Sequence, residues 1–353
     1  MLGERFDPRA NALNSLRFMF ATAVIVAHSF DIGGFEGKPR LGDFDLGQFA
    51  VVAFFVASGY LVTQSRERNS LYRFAWARFL RIYPGFWVCL ILTAFAFAPI
   101  AGSIRGGWNI SDALSYVFRN VTIRIKQFNL GGTLAGAPYP GAWNGSLWTL
   151  YYELGCYVLI GLFLCVRRFR QGWWVSGLFL LVTLTAILGR LGEFASFSGK
   201  FSQWQALIPF FLAGSVVYIH RYSISMSPMI FALACVIIIG STAAGWGSVI
   251  APLPLAYCVM WLGAELPQIV ERIGDGKVDI SYGMYIYAFP MQQLIVLAGV
   301  QRWGVTAMIT LSVAATILPA ALSWYLVEKP CLRLKAMPWP LRDSRPKTAF
   351  NEE

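Results

Sequence analysis

Charged residues are scarce in this sequence. Only 13% of its 353 residues are Asp, Glu, Lys or Arg, whereas 57% are hydrophobic. Soluble domains carry about 25% charged residues, so this composition excludes an ordinary soluble protein. The six cysteines have neither the pairing of a disulfide framework nor the spacing of metal ligands, and there are only two histidines. We therefore expect no disulfide scaffold and no bound metal.

Apolar runs long enough to cross a bilayer recur along the whole chain. A hydrocarbon core of about 30 Å takes about 20 helical residues. Gly, Pro and charged residues interrupt these runs and mark their ends. The predicted spans are 13–31, 47–64, 83–101, 145–166, 173–190, 204–221, 228–243, 249–265, 280–299 and 304–327. The predicted fold is an all-α integral membrane protein with about ten transmembrane helices in one bundle. This bundle occupies residues 1–335, and a basic cytoplasmic tail follows at 336–353.

Basic residues outnumber acidic ones by 29 to 18, which gives a net charge of +11. No basic soluble domain is present to bind nucleic acid, so we expect no such partner. Most of the basic residues lie in alternate loops, including 66–81 and Arg272 and Lys277 between spans eight and nine. The positive-inside rule then places both termini in the cytoplasm. The long loop 102–144 on the opposite side also carries Arg and Lys, which fits this orientation less well.

Ionisable residues inside the predicted spans are few and informative, because a charge in the bilayer is costly. The first span carries Arg17 and His28, which lie on nearly the same helical face about 16 Å apart along the axis. Between them this face carries Ala21 and Val24, which are small enough to leave room for a ligand. A snorkelling arginine and a structural histidine explain the same pattern, and both interpretations stay open here.

A cluster of arginines precedes the third span. Arg78 and Arg81 share one helical face, and Arg73 lies near the same side one turn earlier. Guanidinium groups bind phosphates through paired hydrogen bonds. The segment therefore predicts an anion site, although an interfacial helix that holds anionic headgroups has the same residues.

A single carboxylate lies in the fourth span. Glu153 belongs to a polar stripe on an otherwise apolar helix. A buried carboxylate needs a partner, and Arg17 and His28 are the central candidates. Ser58, in the second span, is a weaker signal because a serine there is often only a helix contact.

Six segments resemble motifs of the membrane-bound acyltransferase-3 family, in the same order along the chain. They are Arg17 to His28, FFVASGYL at 54–61, RFLRIYP at 78–84, GSLWTLYYELGCY at 145–157, SYGMYIYAFP at 281–290 and EKP at 328–330. No single segment is specific for this family, but six such segments in the same order on a chain of about ten spans are specific for it. Many family members carry a histidine where this chain has Ala288. The resemblance therefore implies chemistry on His28 alone and a ninth-span site that is open to a different acceptor.

The resemblance implies an O-acyltransferase of a bacterial inner membrane. Its donor would be cytoplasmic acetyl-CoA or another acyl-CoA, and its acceptor a hydroxyl of a polysaccharide or lipid-linked sugar. The implied site consists of His28 as base or acyl carrier, Arg17 and Glu153 in support, and Arg73, Arg78, Arg81 and Ser58 around the CoA. A proton-coupled glycolipid transporter or flippase is the alternative, because it would use the same buried Arg, His and Glu. A partner-dependent scaffold would not need them.

Overall fold

A computed structural model describes residues 1–7, 11–170, 172–191, 200–266 and 278–336 of the chain. In this part of the chain the regular structure is helical, apart from one antiparallel hairpin of two short strands, β1 (Arg40–Leu41) and β2 (Phe44–Asp45). The all-α prediction is thereby confirmed. The predicted tail beyond residue 336, together with Arg272 and Lys277, lies outside the described residues.

The helices are numbered in chain order. They are α1 (Leu2–Arg5), α2 (Leu13–Gly33), α3 (Leu46–Arg68), α4 (Leu71–Leu92), α5 (Ala98–Arg105), α6 (Ile110–Asn120), α7 (Trp148–Phe163), α8 (Gly172–Arg190), α9 (Lys200–Ile219), α10 (Pro228–Ala243), α11 (Gly247–Ile250), α12 (Pro252–Glu265), α13 (Ser281–Leu297), α14 (Val305–Ser323) and α15 (Lys329–Arg333). The π-helical turn Thr93–Phe97 joins α4 to α5, and a second, Trp324–Glu328, joins α14 to α15.

Five helical segments are long and apolar enough to cross a bilayer by length and composition. They are Leu13–Gly33, Leu46–Arg68, Leu71–Arg105, Gly172–Arg190 and Val305–Arg333. Three shorter apolar helices, α7, α9 and α10, add to them. Each predicted span coincides with a helix, although the number that crosses the membrane stays a prediction. The outer surface is apolar, since Leu180, Val236 and Leu318 are 63%, 65% and 66% exposed.

The third predicted span begins too late in the sequence. The helix starts at Leu71, where the Ser70 side chain accepts a hydrogen bond from the Arg73 N–H, and it continues without a break to Arg105. A serine at this position satisfies one of the free N–H groups of the first turn. The arginines at 78 and 81 therefore lie inside a membrane-length helix, not in a loop or in a separate interfacial helix.

The bundle is organised around α2, α3 and α9. Helix α2 packs between α3 and α13, and α3 runs along α9. The α3–α9 contact depends on two glycines: a Cβ atom on Gly59 would lie 1.9 Å from the Phe211 carbonyl oxygen, and one on Gly214 would lie 2.1 Å from that of Val56. Helices α4 and α7 close the remaining side against α3. The space between α2, α3, α4, α7 and α13 is where the predicted site residues converge.

Candidate active site

A cavity of about 760 Å³ lies at the end of the bundle where α2 begins. We call it the arginine cavity. Its lining includes five of the predicted site residues, namely Arg17, Ser58, Arg78, Arg81 and Glu153. These residues come from α2, α3, α4 and α7, so only the tertiary fold brings them together. Arg73 is exposed on the first turn of α4 and is not among the residues that line this cavity, so its part in donor binding stays a prediction.

One carboxylate holds two of the cavity's three guanidinium groups. Asp279 Oδ2 lies 2.8 Å from Arg17 Nη1 and 2.6 Å from Arg81 Nη2. Glu328 Oε2 is a more distant partner of Arg81, at 3.6 Å. Burial favours a raised pKa for Asp279, but Arg17 and Arg81 outweigh it and hold the pKa well below its ordinary value. Sequence reasoning missed Asp279, although an acidic residue directly before the 281–290 motif was a usable signal.

Arg78 differs from its two neighbours. Its guanidinium carbon lies 5.7 Å from the ring centre of Tyr157 and 6.0 Å from that of Phe74. The Nε atom is buried without a hydrogen-bond partner, and no ion pair joins Arg78 to a carboxylate within the described ranges. An unpaired buried donor is costly. Arg78 is therefore the guanidinium of this cavity that is left for an anionic ligand.

Glu153 has partners other than the predicted ones. Its Oε1 atom accepts a hydrogen bond of 2.9 Å from Ser58 Oγ and a second from the hydroxyl of Tyr157. Tyr157 lies one helical turn further along α7, and Ser58 comes from the neighbouring α3. The expectation that Glu153 pairs with Arg17 or His28 is thus wrong for this structure, since these nearer hydroxyls satisfy the carboxylate. Ser58 likewise contacts Glu153 from the cavity wall.

A second cavity, of about 1050 Å³, contains His28 and lies toward the opposite end of the bundle. We call it the histidine cavity. His28 Nδ1 lies 3.4 Å from Ser146 Oγ, and the imidazole packs edge-on against the ring of Phe289. In the tautomer whose Nδ1–H donates a hydrogen bond to Ser146 Oγ, Nε2 is unprotonated, which is the state that a general base requires.

The face between Arg17 and His28 is only partly as predicted. Val24 lines the histidine cavity, as expected of a residue that leaves room for a ligand. Ala21 instead packs in a fully buried cluster with Ala288 of α13 and Ala320 of α14. Residues of α2 and α14 fill the space beside Ala288, and the expectation that the ninth-span site takes a different acceptor stays a prediction.

The hairpin β1–β2 covers the histidine cavity. Lys38 Nζ lies 2.7 Å from Asp31 Oδ2 and 3.1 Å from Asp45 Oδ2, which ties the loop to the start of α3. Burial lowers the pKa of Lys38, but these two carboxylates outweigh burial and raise it. Asp45 also caps α3 by accepting the Gln48 N–H at 2.8 Å. Asp43, whose Oδ1 is buried without a partner, completes a polar wall.

The two cavities meet at three residues. Val51, Thr149 and Tyr285 line both of them. Thr149 Oγ1 lies 2.6 Å from Tyr285 Oη, so a hydrogen bond crosses the junction. A ligand that displaced this contact would pass from the arginine cavity to His28.

Comparison with known proteins agrees with this architecture. A family model described as an acyltransferase domain matches residues 10–328. The chain is 27% identical over 339 residues to a protein of Shigella phage Sf6 named O-acetyl transferase, which covers 91% of this chain and 96% of the relative. It is 28% identical over 374 residues to nodulation protein 10 of Rhizobium leguminosarum bv. viciae, which covers 94% of this chain and 96% of the relative. No solved structure matches the chain.

The matched range contains the residues that line the arginine cavity and the histidine cavity, five of the six motif segments, and the first residue of the sixth. Together with the apolar bundle, it confirms the multi-pass membrane architecture and the family that the motifs resemble. The chain belongs to the acyltransferase-3 family and is a membrane O-acetyltransferase.

Proposed function

We propose that the protein moves an acetyl group from cytoplasmic acetyl-CoA to a hydroxyl of a polysaccharide or lipid-linked sugar on the other side of the membrane. The observation that carries this proposal is the junction at Val51, Thr149 and Tyr285, where the two cavities meet. A donor held in the arginine cavity reaches, through this junction, the cavity that contains His28. The name of the phage relative supports acetyl as the transferred group.

The donor is bound through the charge of the arginine cavity. CoA carries several phosphates, and among the described residues no carboxylate oxygen forms an ion pair with Arg78. Arg17 and Arg81, fixed by Asp279, add positive charge to the same wall. Arg17 and His28 lie about 16 Å apart along α2, a distance that the extended pantetheine arm of CoA can bridge. Glu153 then serves to hold Ser58 and Tyr157 beside Arg78.

His28 acts on the acceptor. The sugar oxygen attacks the thioester carbonyl carbon while His28 Nε2 accepts the hydroxyl proton. The carbon–sulfur bond then breaks, and the CoA sulfur takes the proton from the imidazolium. Direct transfer is favoured over an acyl-His28 intermediate because each substrate has its own cavity.

The acceptor site is polar with one aromatic wall. Lys38, Asp43 and Gln48 supply hydrogen-bonding groups, and Trp148 supplies a flat apolar surface. Small-molecule sites of this composition use the apolar wall for contact area and the polar groups for orientation. These features suit a sugar, and the family assignment favours the enzyme over the glycolipid transporter.

Titration of the purified protein with acetyl-CoA tests the donor site. We expect Arg78→Ala to weaken binding by about tenfold or more, because a charge-assisted contact to phosphate is lost. The matched control is Arg68→Ala, which removes an exposed arginine that lines neither cavity. His28→Ala is expected to bind acetyl-CoA normally but to lose about 10²–10⁴-fold in acetyl transfer to water. Equal binding by the Arg68 and Arg78 variants would contradict the donor site.

Radiolabelled acetyl-CoA identifies the acceptor class. Membranes that contain the wild-type protein should incorporate label into a fraction that glycan-degrading enzymes release, and His28→Ala membranes should not. Label that resists those enzymes, or that remains in the His28→Ala membranes, would count against a sugar acceptor.

A further inference from the structure

Two buried hydroxyl groups lie where the donor cavity meets the acceptor cavity. Thr149 and Tyr285 are 4% and 8% exposed, and they are the polar members of the three residues that line both spaces. The third member, Val51, cannot donate a hydrogen bond. A thioester that extends from the arginine cavity toward His28 must therefore bring its carbonyl group past these two hydroxyls.

Ser146 contacts both hydroxyls and the histidine. Tyr285 Oη donates to the Ser146 carbonyl oxygen at 2.9 Å, and Thr149 Oγ1 lies 3.3 Å from that oxygen. The Oγ atom of the same serine lies 3.4 Å from His28 Nδ1. Ser146 thus fixes the position of the imidazole relative to the hydroxyl pair.

Acyl transfer creates a negative charge at one defined atom. When the acceptor oxygen adds to the thioester carbonyl carbon, the carbonyl electron pair moves to oxygen and forms an oxyanion. Donors that are already aimed at this position in a dry site give a large rate effect, because they need no reorganisation during the reaction. We propose that Tyr285 and Thr149 hold the acetyl carbonyl at the junction and stabilise this oxyanion.

The proposal rests on the proposed function and adds two catalytic groups to it. Without donor, the hydroxyls of Thr149 and Tyr285 hydrogen-bond to each other, and Tyr285 also donates to the Ser146 carbonyl oxygen. With donor bound, both hydroxyls turn toward the substrate oxygen, and neither loses its proton. The acceptor's proton moves to His28 and then to the departing CoA sulfur, so the reaction balances as acetyl-CoA plus alcohol to ester plus CoA thiol.

A structural role makes a different prediction for the same residues. If the hydroxyls served only to fasten α13 to α7, their removal would lower thermal stability and donor affinity along with the rate. If they bind the oxyanion, the rate falls by far more than donor affinity or thermal stability, because the hydrogen bonds to the carbonyl oxygen are much stronger in the transition state than in the bound donor.

Tyr285→Phe is the first variant to test, with acetyl-CoA affinity, hydrolysis rate and melting temperature all measured. We expect a loss of about 10²–10³-fold in the rate of acetyl transfer to water, with affinity retained. Thr149→Val should lose rate in the same way, and Thr149→Ser, which keeps the hydroxyl, should restore most of it. The matched control is Tyr287→Phe in the same helix: Tyr287 is fully buried, lines neither cavity and should be dispensable.

Infrared spectroscopy separates the carbonyl contact from a packing effect. Acetyl-CoA with carbon-13 in its carbonyl is bound to the slow His28→Ala protein, with and without Tyr285→Phe. We expect the carbonyl stretch to move to higher frequency when the Tyr285 hydroxyl is removed, since a hydrogen bond to that oxygen is lost. An unchanged stretch and an unchanged rate would overturn the inference. Failure of the wild-type protein to bind or hydrolyse acetyl-CoA would instead overturn the proposed function.

Discussion

Asp279 determines how two arginines are arranged in the arginine cavity. It accepts hydrogen bonds from Arg17 and Arg81, which come from different helices, and also from the backbone and hydroxyl of Ser281. Arg17 and Arg81 are at most 20% exposed in their side chains, so removing their shared partner leaves two poorly solvated positive charges. Breaking a buried ion pair on one side is more damaging than never having formed it.

Asp279→Asn is therefore expected to destabilise the protein by about 3 kcal/mol or more, measured by thermal unfolding in detergent. The matched control is Glu265→Gln, which breaks the exposed pair with Arg5. Exposed pairs contribute about 0–1 kcal/mol. Similar losses for both variants would contradict a special role for Asp279.

The lowered pKa of Asp279 adds a pH dependence with a defined sign. A carboxylate whose folded pKa is depressed contributes its full stabilisation above its unfolded pKa of about 3.9, and that contribution is lost as the pH falls toward the folded value. The wild-type melting temperature should thus fall more steeply below about pH 4 than that of Asp279→Asn. Parallel curves for the two proteins would contradict the assignment.

At the scale of elements, the contact between α3 and α9 sets the position of one cavity wall. Gly59 lets the α9 backbone approach, while the adjacent Ser58 reaches Glu153 on α7. The hydroxyls of Thr63 and Ser215 add a hydrogen bond of 2.9 Å across the same contact. The serine and glycine of the FFVASGYL segment thus have separate tasks, one in the site and one in packing.

Gly59→Ala is expected to destabilise the bundle by about 1–3 kcal/mol, because the new methyl group would lie 1.9 Å from a carbonyl oxygen and α9 would have to move. The matched control is Gly177→Ala in α8, where an added Cβ meets no atom within 4 Å. That substitution should stabilise the helix by about 0.5–1 kcal/mol. Melting temperatures of the two variants that shift in the same direction would refute this account.

At the scale of the whole molecule, the distribution of basic residues predicts the orientation in the membrane. Arg68 at the end of α3, Arg167 before α8 and Arg221 before α10 lie at the same end of the bundle as Arg17. By the positive-inside rule we expect this end to lie in the cytoplasm. We then expect the hairpin β1–β2 to face the other side of the membrane, from which the proposed sugar acceptor would arrive. Both parts of the proposed reaction depend on this arrangement.

Cysteine labelling of intact cells tests the orientation. Glu36→Cys, before the hairpin, and Ser223→Cys, between α9 and α10, both replace exposed residues in a protein whose exposed Cys165 is first changed to serine. A maleimide that cannot cross membranes should label position 36 in cells and position 223 only after lysis. The opposite pattern would place the arginine cavity on the outer side and exclude cytoplasmic acetyl-CoA as the donor.

The sequence by itself determined the class of the protein and much of its site. Scarce charge and long apolar runs require a membrane environment, because the few polar groups of this chain cannot cover the surface of a soluble protein. The spacing of Arg17 and His28 fixes their separation, because both lie on one regular helix. The six motif segments predicted the family that the comparison confirms.

Only the tertiary structure decided which side chains are partners. Ser58 and Glu153 are 95 positions apart in the sequence, and Arg17 and Asp279 are 262 apart. No local pattern encodes a contact between such residues, since it depends on which helices pack together and how closely. The place of Thr149 and Tyr285 at the junction has the same origin: each hydroxyl is ordinary on its own helix, and the pair forms because the fold brings α7 and α13 within hydrogen-bonding distance at this point.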